Sequence, residues 1–200
     1  PEFRGELCGI FAGDGSFAKY EDGHYKNRLH LNYHEEYWNV LKSYFTENLG
    51  KDPFCCTKES TGRAILIYNS KRFYKFLSDQ LYWEEDKTET VRLSETEFCD
   101  DFKIGFLRGL MDTDGHMKKN SRCYVFFSIS KKLIQDASKL LDQFGISNSI
   151  DPQERKIENW RKIYHLRLYS DNAVKFGEKI DPRNPKKRIT NSDWKTNYMR

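Results

Sequence analysis

The chain has 200 residues, of which 38% are hydrophobic and 32% are charged. This composition can fill the core of one compact domain or of two small halves that share a core. No apolar run reaches the ~18 residues that a membrane span needs, and no signal-peptide pattern is present, so we expect neither a membrane protein nor an exported one.

The cysteines and charges narrow the class of protein further. The five cysteines include no Cys-x-x-Cys pair, which disfavours a zinc site or a disulfide framework and favours an intracellular location, in the cytoplasm or an organelle matrix. The net charge is +4, and residues 180–200 alone sum to +4, whereas residues 83–101 contain eight acids. A nucleic-acid-binding surface is therefore expected on one segregated face, with the acidic stretch turned away from it.

Two glycine-rich apolar segments repeat one pattern a hundred positions apart. Residues 5–15 and 105–115 each carry small residues four positions apart and end in Asp-Gly. Residues four apart lie on one face of a helix, and each helical glycine costs about 1 kcal/mol relative to alanine. We therefore predict two helices that pack closely through these faces, which would bring Asp14 next to Asp114.

This arrangement of two acids is electrostatically unfavourable. Each carboxylate would face the negative end of a helix dipole, and the two would repel each other. A bound divalent cation is the simplest compensation, because hard ions such as Mg²⁺ prefer oxygen ligands. The alternative is that both Asp-Gly pairs are ordinary helix stops with a solvated Asp.

Both segments resemble the LAGLIDADG motif of homing endonucleases, and two copies in one chain resemble the single-chain form of that family. The first copy has Ala12 where the family often has Asp, and the second departs from the pattern at Arg108, Met111 and Thr113. The resemblance implies a metal-dependent, site-specific endonuclease that hydrolyses one phosphodiester in each strand across the minor groove and leaves 3′ overhangs. It also implies a monomer that binds a long double-stranded DNA target.

The same resemblance implies the ligands of the metal. The last acid of each motif, Asp14 and Asp114, would bind Mg²⁺, with the backbone carbonyls of Gly13 and Thr113 as additional ligands. Mn²⁺ or Ca²⁺ would substitute for Mg²⁺, the latter without cleavage.

The rest of the chain repeats as well, in the order αββαββα, twice. We predict an α+β fold of two pseudo-symmetric halves, each an antiparallel β-sheet with helices on one face, whose other faces form a DNA-binding saddle. The predicted organisation is an N-terminal half at 1–82, an acidic linker at 83–100, a C-terminal half at 101–179 and a basic tail at 180–200.

Alternation along the strands predicts which side chains face the DNA. Leu29 and Leu31 are assigned to the core of the first half, and Val125 and Phe127 to that of the second. The opposite faces carry basic, amide and aromatic side chains suited to the major groove, although a solvated surface would also be polar. The predicted DNA contacts are Lys26, Arg28, His30, Asn32, His34, His116, Lys118, Arg122, Tyr124, Ser128, His165, Arg167, Lys186, Lys187 and Arg188.

Two further positions are candidates for catalysis. His34 and Lys131 follow the second strand of each half, where a polar group would hold solvent near the phosphate. Family members often carry Gln or Lys there, so His34 departs from the pattern, and Lys131 could equally be a solvated helix residue. The tail at 181–188 contains two prolines and is predicted to be extended along phosphates.

Two other functions fit the same scaffold. One is an RNA maturase that binds intron RNA and assists splicing, and the other is a DNA-binding protein that does not cleave. Retention of an acid in both motifs disfavours the second, because a mere binder gains nothing from two crowded carboxylates. The sequence does not distinguish an intron from an intein as the origin of the reading frame.

Overall fold

A computed structural model describes residues 1–32, 34–50, 54–58, 62–118, 121–153 and 161–188, with the backbone alone at 54–58 and 153. The fold is α+β, and the predicted order αββαββα occurs twice. The first half comprises α1 (Glu2–Gly13), β1 (Gly15–Lys19), β2 (Tyr25–Asn32), α2 (Glu35–Leu49), β3 (Phe54–Lys58), β4 (Arg63–Ile67) and α3 (Lys71–Gln80).

A short connection leads into the second half. It comprises β5 (Leu81–Tyr82), α4 (Lys87–Thr90) and β6 (Arg92–Leu93). The second half comprises α5 (Asp100–Asp114), β7 (Gly115–Lys118), β8 (Cys123–Ser128), α6 (Lys131–Gln143), β9 (Ser149–Gln153), β10 (Ile163–Tyr169) and α7 (Ser170–Ile180). The two sheets are antiparallel and have equivalent strand orders, β1-β2-β4-β3 and β7-β8-β10-β9.

Helices α1 and α5 pack against each other through their glycine faces, as predicted. A Cβ added at Gly5, Gly9, Gly105 or Gly109 would overlap a backbone carbonyl oxygen of the opposite helix. Only glycine allows the two backbones to approach so closely. A single hydrophobic core extends from this contact into both halves.

Strand β8 presents the opposite face to the core from the one predicted. Tyr124 and Phe126 are fully buried and pack against Phe176 of α7, with ring centroids 4.8 and 5.6 Å apart. Val125 is also buried, but it points to the other side of the strand, between His116 and Arg167 of the neighbouring strands. The prediction that Tyr124 contacts DNA was therefore wrong. The strand is apolar on both faces, so alternation alone could not identify the core side.

The chain after α7 packs against the second half instead of running free of it. Pro185–Lys187 form a short 3₁₀ helix, and Asn184 is buried, so the extended tail that the prolines predicted is only partly present. The rest of that tail, 189–200, lies outside the described residues. Within the described part of the chain, no helix is long and apolar enough to cross a bilayer.

Candidate functional site

The two motif acids lie side by side at the ends of α1 and α5. Asp14 caps α1, and Asp114 is the last residue of α5. A Cβ on Gly13 would lie 3.1 Å from Oδ2 of Asp114, so the second acid lies against the backbone that precedes the first. Burial raises the pKa of Asp14 from its ordinary 3.8 to about 6. Burial, together with the negative charge of Asp14, raises the pKa of Asp114 to about 7.

A lysine from the connection between the halves caps the end of α1. Lys87, the first residue of α4, donates hydrogen bonds from Nζ to the carbonyl oxygens of Phe11 at 2.8 Å, Gly13 at 3.3 Å and Gly15. A cation at this position satisfies carbonyls that lack helical partners and faces the negative end of the helix dipole. Burial lowers the pKa of Lys87 to about 8, despite the nearby carboxylates.

A second lysine caps α5 in the same manner. Lys187 Nζ donates to the carbonyl oxygens of Met111, Asp112 and Thr113 at 2.9, 2.8 and 2.9 Å. Burial again lowers the pKa, to about 8. The sequence-based prediction placed Lys187 on DNA phosphates as part of an extended tail, whereas the structure holds its ammonium group at the junction of the motif helices.

Each acid lines its own cleft, together with the lysine that caps the other motif helix. Asp114 and Lys87 line a cleft of about 240 Å³, whose other residues are mostly apolar. Asp14 and Lys187 line a cleft of about 310 Å³, which is more polar and also contains His34. The site is therefore double, and both halves of the chain contribute to each part.

Buried polar contacts hold the segment that carries the second lysine. The carboxylate of Asp112 accepts hydrogen bonds from the backbone N–H groups of Arg183 at 3.0 Å and Asn184 at 3.1 Å. Arg183 also pairs through Nε with Glu6 of α1 at 2.7 Å. On the other side, Asp86 precedes the first lysine and pairs with Arg161, which belongs to the second half.

The two candidate catalytic residues occupy different surroundings. His34 is the N-cap residue of α2 and lines the cleft of Asp14, as the prediction requires. Lys131 is exposed on the first turn of α6 and is not among the residues that line the cleft of Asp114. The ammonium group in that cleft belongs to Lys87 instead.

The acids fit a divalent cation by the chemistry of their oxygens. No hydrogen bond or ion pair from the described residues engages the side-chain oxygens of Asp14 or Asp114, although burial penalises both charges. The carbonyl oxygens of Gly13 and Thr113 each accept a lysine hydrogen bond and retain a second lone pair. The described residues contain no group of three or more His, Cys, Asp or Glu suited to a metal, so water or phosphate oxygens would complete the shell of a bound ion.

The remaining predicted DNA contacts are distributed over the two sheets and the tail. Polar residues of β2 alternate with the buried Leu29 and Leu31, so the predicted face of that strand is confirmed. Lys26, Arg28, His30 and Asn32 share that face. His116, Lys118, His165 and Arg167 share the corresponding face of the second sheet. Ser128 lines the cleft of Asp114, Arg122 precedes β8 with φ of 44°, and Lys186 and Arg188 are exposed.

Sequence reasoning missed Lys87 and assigned Lys187 to DNA phosphates, not to the helix junction. The signal was available, because Lys87 and Lys187 each follow the acid of the preceding motif by 73 positions. The acidic stretch around Lys87 was instead predicted to turn away from DNA, and the basic tail around Lys187 to lie along phosphates.

Comparison with known proteins agrees with this architecture. Residues 101–181 match the family model of the LAGLIDADG-like domain. The structure is similar to that of I-DmoI in complex with DNA and Ca, with a TM-score of 0.64, 18% identity and coverage of 90% of this chain and 88% of that one. It is also similar to the N-terminal LAGLIDADG domain of DUF199/WhiA, with a TM-score of 0.60, 18% identity and coverage of 90% and 80%. These features define a protein with a duplicated LAGLIDADG fold.

Two curated proteins of Methanocaldococcus jannaschii contain similar sequence. The first is glutamine–fructose-6-phosphate aminotransferase, 30% identical over 156 residues, which are 75% of this chain and 14% of that protein. The second is the ATP-dependent DNA helicase Hel308, 28% identical over 195 residues, which are 91% of this chain and 16% of that protein. The chain thus spans a small part of either relative. Residues 101–181 therefore contain a LAGLIDADG-like domain, and the repeated motif and the repeated order of elements extend the same fold over the first half.

Proposed function

We propose that the protein is a site-specific endonuclease that cuts both strands of a DNA duplex across the minor groove and leaves 3′ overhangs. The observation that carries this proposal is the pairing of Asp14 and Asp114 at the helix junction, each in a cleft with a buried lysine. Two clefts, one beside the end of each motif helix, suit the two strands of a duplex, whose minor groove is about 6 Å wide.

The proposed roles follow from the contacts of each residue. Asp14 and Asp114 would hold divalent metal, Mg²⁺ in the cell, with the carbonyls of Gly13 and Thr113 as further oxygen ligands. When bound, such an ion neutralises phosphate charge and lowers the pKa of its water. The lysines add fixed positive charge beside each phosphate in a site that largely excludes solvent. His34 would hold solvent in the cleft of Asp14.

The DNA would lie against the uncovered faces of the two sheets. Arg28 and Arg167 lie on equivalent faces of the two halves and are long enough to reach guanine edges in the major groove. Phosphate contacts from exposed cations such as Lys118 and Lys186 would set affinity and position. The complex of I-DmoI with DNA, on a similar fold, supports DNA as the partner. We propose a monomer acting in a compartment that contains DNA.

The two curated relatives support the proposal that this segment is a mobile insertion. An aminotransferase and a helicase share no activity, yet each contains a segment similar to this chain. A segment common to proteins of unrelated activity is most simply an insertion with a function of its own. We propose that cleavage of an uninterrupted target site serves such mobility, and that the insertion is carried within a host polypeptide, as in an intein.

Two other functions use the same fold. The first is DNA binding without cleavage. Unpaired carboxylates where motif helices meet would only repel DNA phosphates in such a protein, which disfavours that function. An RNA maturase would use the same basic faces for intron RNA.

Cleavage of a randomised duplex library in Mg²⁺ tests the proposal. We expect wild-type protein to yield cut duplexes of one target, and Asp14→Asn or Asp114→Asn protein to bind that target without double-strand cleavage. Unchanged cleavage by both variants would refute the metal site. Absence of cutting together with tight binding of intron RNA would favour the maturase.

A further inference from the structure

The cleft of Asp14 contains two buried polar atoms that the protein does not satisfy. Tyr37, on the first turn of α2, is 3% exposed, and its hydroxyl has no hydrogen-bond partner among the described residues. Nδ1 of His34, the N-cap residue of the same helix, is also buried without a partner there. Both residues line the cleft with Asp14. Buried polar atoms normally have a partner, and each exception requires an explanation.

The equivalent helix start in the second half has different residues at these two positions. Leu133 occupies the third position of α6, where α2 has Tyr37, and Ser130 is the N-cap residue where α2 has His34. Ser130 is fully engaged: its Oγ accepts from the N–H of Leu133 at 3.2 Å and donates to the carbonyl of Val91 at 2.6 Å. An apolar third residue and an N-cap residue with hydrogen-bond partners are therefore sufficient for a helix to begin at this position. The hydroxyl and imidazole of the first half are not explained by folding.

The surroundings of Tyr37 fix its chemical form. Burial, and then the negative charges of Asp112, Glu6 and Asp14, raise its pKa well above the ordinary value. The phenol therefore remains neutral and can donate a hydrogen bond. A neutral imidazole can accept one at Nδ1. A water molecule is the small ligand that can accept from the phenol and donate to the imidazole at once, whereas a phosphate oxygen can only accept.

We propose that Tyr37 and His34 are positioning residues that hold a water molecule in the cleft of Asp14, and that the cleft of Asp114 has no counterpart. The inference rests on the proposed nuclease function and extends it, because it makes the two cuts chemically unequal. One strand is cut with a water held by Tyr37 and His34, whereas the described lining of the cleft of Asp114 contains neither a tyrosine nor a histidine.

Strand-resolved cleavage of Tyr37→Phe protein tests this inference. The substitution keeps the ring and removes the hydroxyl. With the two strands labelled differently, we expect one strand to be cut about three- to tenfold more slowly, and it should be the strand that Lys187→Met slows most, since Lys187 lines the same cleft. Tyr74→Phe, which removes the same atom from the aromatic cluster beside Phe17, should leave both rates unchanged. Equal slowing of both strands by Tyr37→Phe would overturn the inference.

Thermal unfolding without metal or DNA gives a second readout. Because the hydroxyl would contact a water and no described protein group, Tyr37→Phe should lower the Tm by no more than about 5 °C. A larger fall in Tm would show that the hydroxyl bonds to the protein and would overturn the inference even if the wild type cut no DNA. His34→Ala should slow the same strand, and the double variant should be no slower than the slower single variant. Multiplicative effects would exclude a shared water.

Discussion

Lys87 and Lys187 each cap one motif helix but line the cleft of the acid that belongs to the other motif helix. Lys87 caps the helix that ends at Asp14 but lines the cleft of Asp114. Lys187 caps the helix that ends in Asp114 but lines the cleft of Asp14. Neither half can therefore form a complete cleft by itself. Each lysine also stabilises the fold, since it donates to three carbonyl oxygens at or next to the end of a motif helix.

Replacement of one lysine should impair one strand more than the other. Lys87→Met keeps the length of the side chain and removes the charge. Because a preorganised charge at a phosphate contributes on the order of 10²- to 10³-fold to rate, we expect slower cutting by that factor on one strand and accumulation of nicked duplex. Lys187→Met should slow cutting of the other strand, so that the nick accumulates in the opposite strand from the one nicked by Lys87→Met. Strand-labelled duplexes and gel analysis measure both.

Lys186→Met is the matched control for this experiment. Lys186 neighbours Lys187 in the chain and lines the same cleft, but it is exposed and so differs from Lys187 in burial. Its loss should weaken DNA binding and reduce the salt dependence of affinity by about one charge, with no change in the rate of the bound complex. If Lys186→Met and Lys187→Met had the same effect, the buried position of Lys187 would have no role in cleavage.

The glycine contact should tolerate no side chain. A methyl group at Gly9 or Gly109 would meet backbone atoms of the opposite helix, which cannot move aside as a flexible side chain can. We expect Gly9→Ala to lower the free energy of unfolding by at least about 2–3 kcal/mol, the cost of an overpacked core, although alanine favours helices. Urea denaturation measures this change in the free energy of unfolding. A Gly9→Ala protein as stable as wild type would contradict the close approach of α1 and α5.

The sequence predicted the helix contact because only one structure explains small residues at a spacing of four in two copies. It also predicted the side-by-side acids, which follow from that contact. It did not predict the orientation of β8, where Val125 and Phe126 are both apolar and neighbouring strands decide which faces the core. The lysines were missed for a different reason. A charged residue is normally exposed, and Lys87 and Lys187 are buried only because two helix ends offer them carbonyl oxygens.

Cation binding should depend on pH through the two acids. The pKa of Asp14 is raised to about 6 and that of Asp114 to about 7. A raised carboxyl pKa means that the folded protein holds protons that the unfolded chain has released. The contribution of these groups to stability is therefore present below pH ~4 and is lost as pH rises towards 7. Protons and cation compete for the same oxygens, so affinity for the cation should increase over pH 5–7.

The shift in Tm caused by Ca²⁺, which avoids turnover, measures this dependence. At a fixed Ca²⁺ concentration, the shift should be small at pH 5 and should grow through pH 6–7. The double variant Asp14→Asn/Asp114→Asn lacks both proposed ligand carboxylates and should show no shift at any of these pH values. A shift that is equal at pH 5 and pH 7 would show that Ca²⁺ binds elsewhere.

The contacts of Arg108 should matter for stability as well as for the site. The residue is 7% exposed, and its guanidinium pairs with Glu6 at 3.3 Å and donates to the carbonyl of Ile180 at 2.7 Å. It thereby ties α5 to α1 and to the segment that carries Lys187. Arg108→Met would leave these acceptors buried with fewer donors, and breaking a buried pair from one side costs about 3–5 kcal/mol. Because Arg183 still pairs with Glu6, we expect a loss of about 2–4 kcal/mol in urea denaturation.

Lys103→Met provides the comparison within the same helix. Lys103 pairs with Asp100 at 3.1 Å across one turn, and the side chain of Asp100 is 73% exposed. An ion pair that is solvated on one side in this way is worth less than about 1 kcal/mol. If burial and not charge count decides the cost, Arg108→Met should be several times more destabilising than Lys103→Met. It should also slow the strand that depends on Lys187, since the segment bearing that lysine is less firmly held. Equal costs for the two variants would mean that the buried network contributes no more than a surface ion pair.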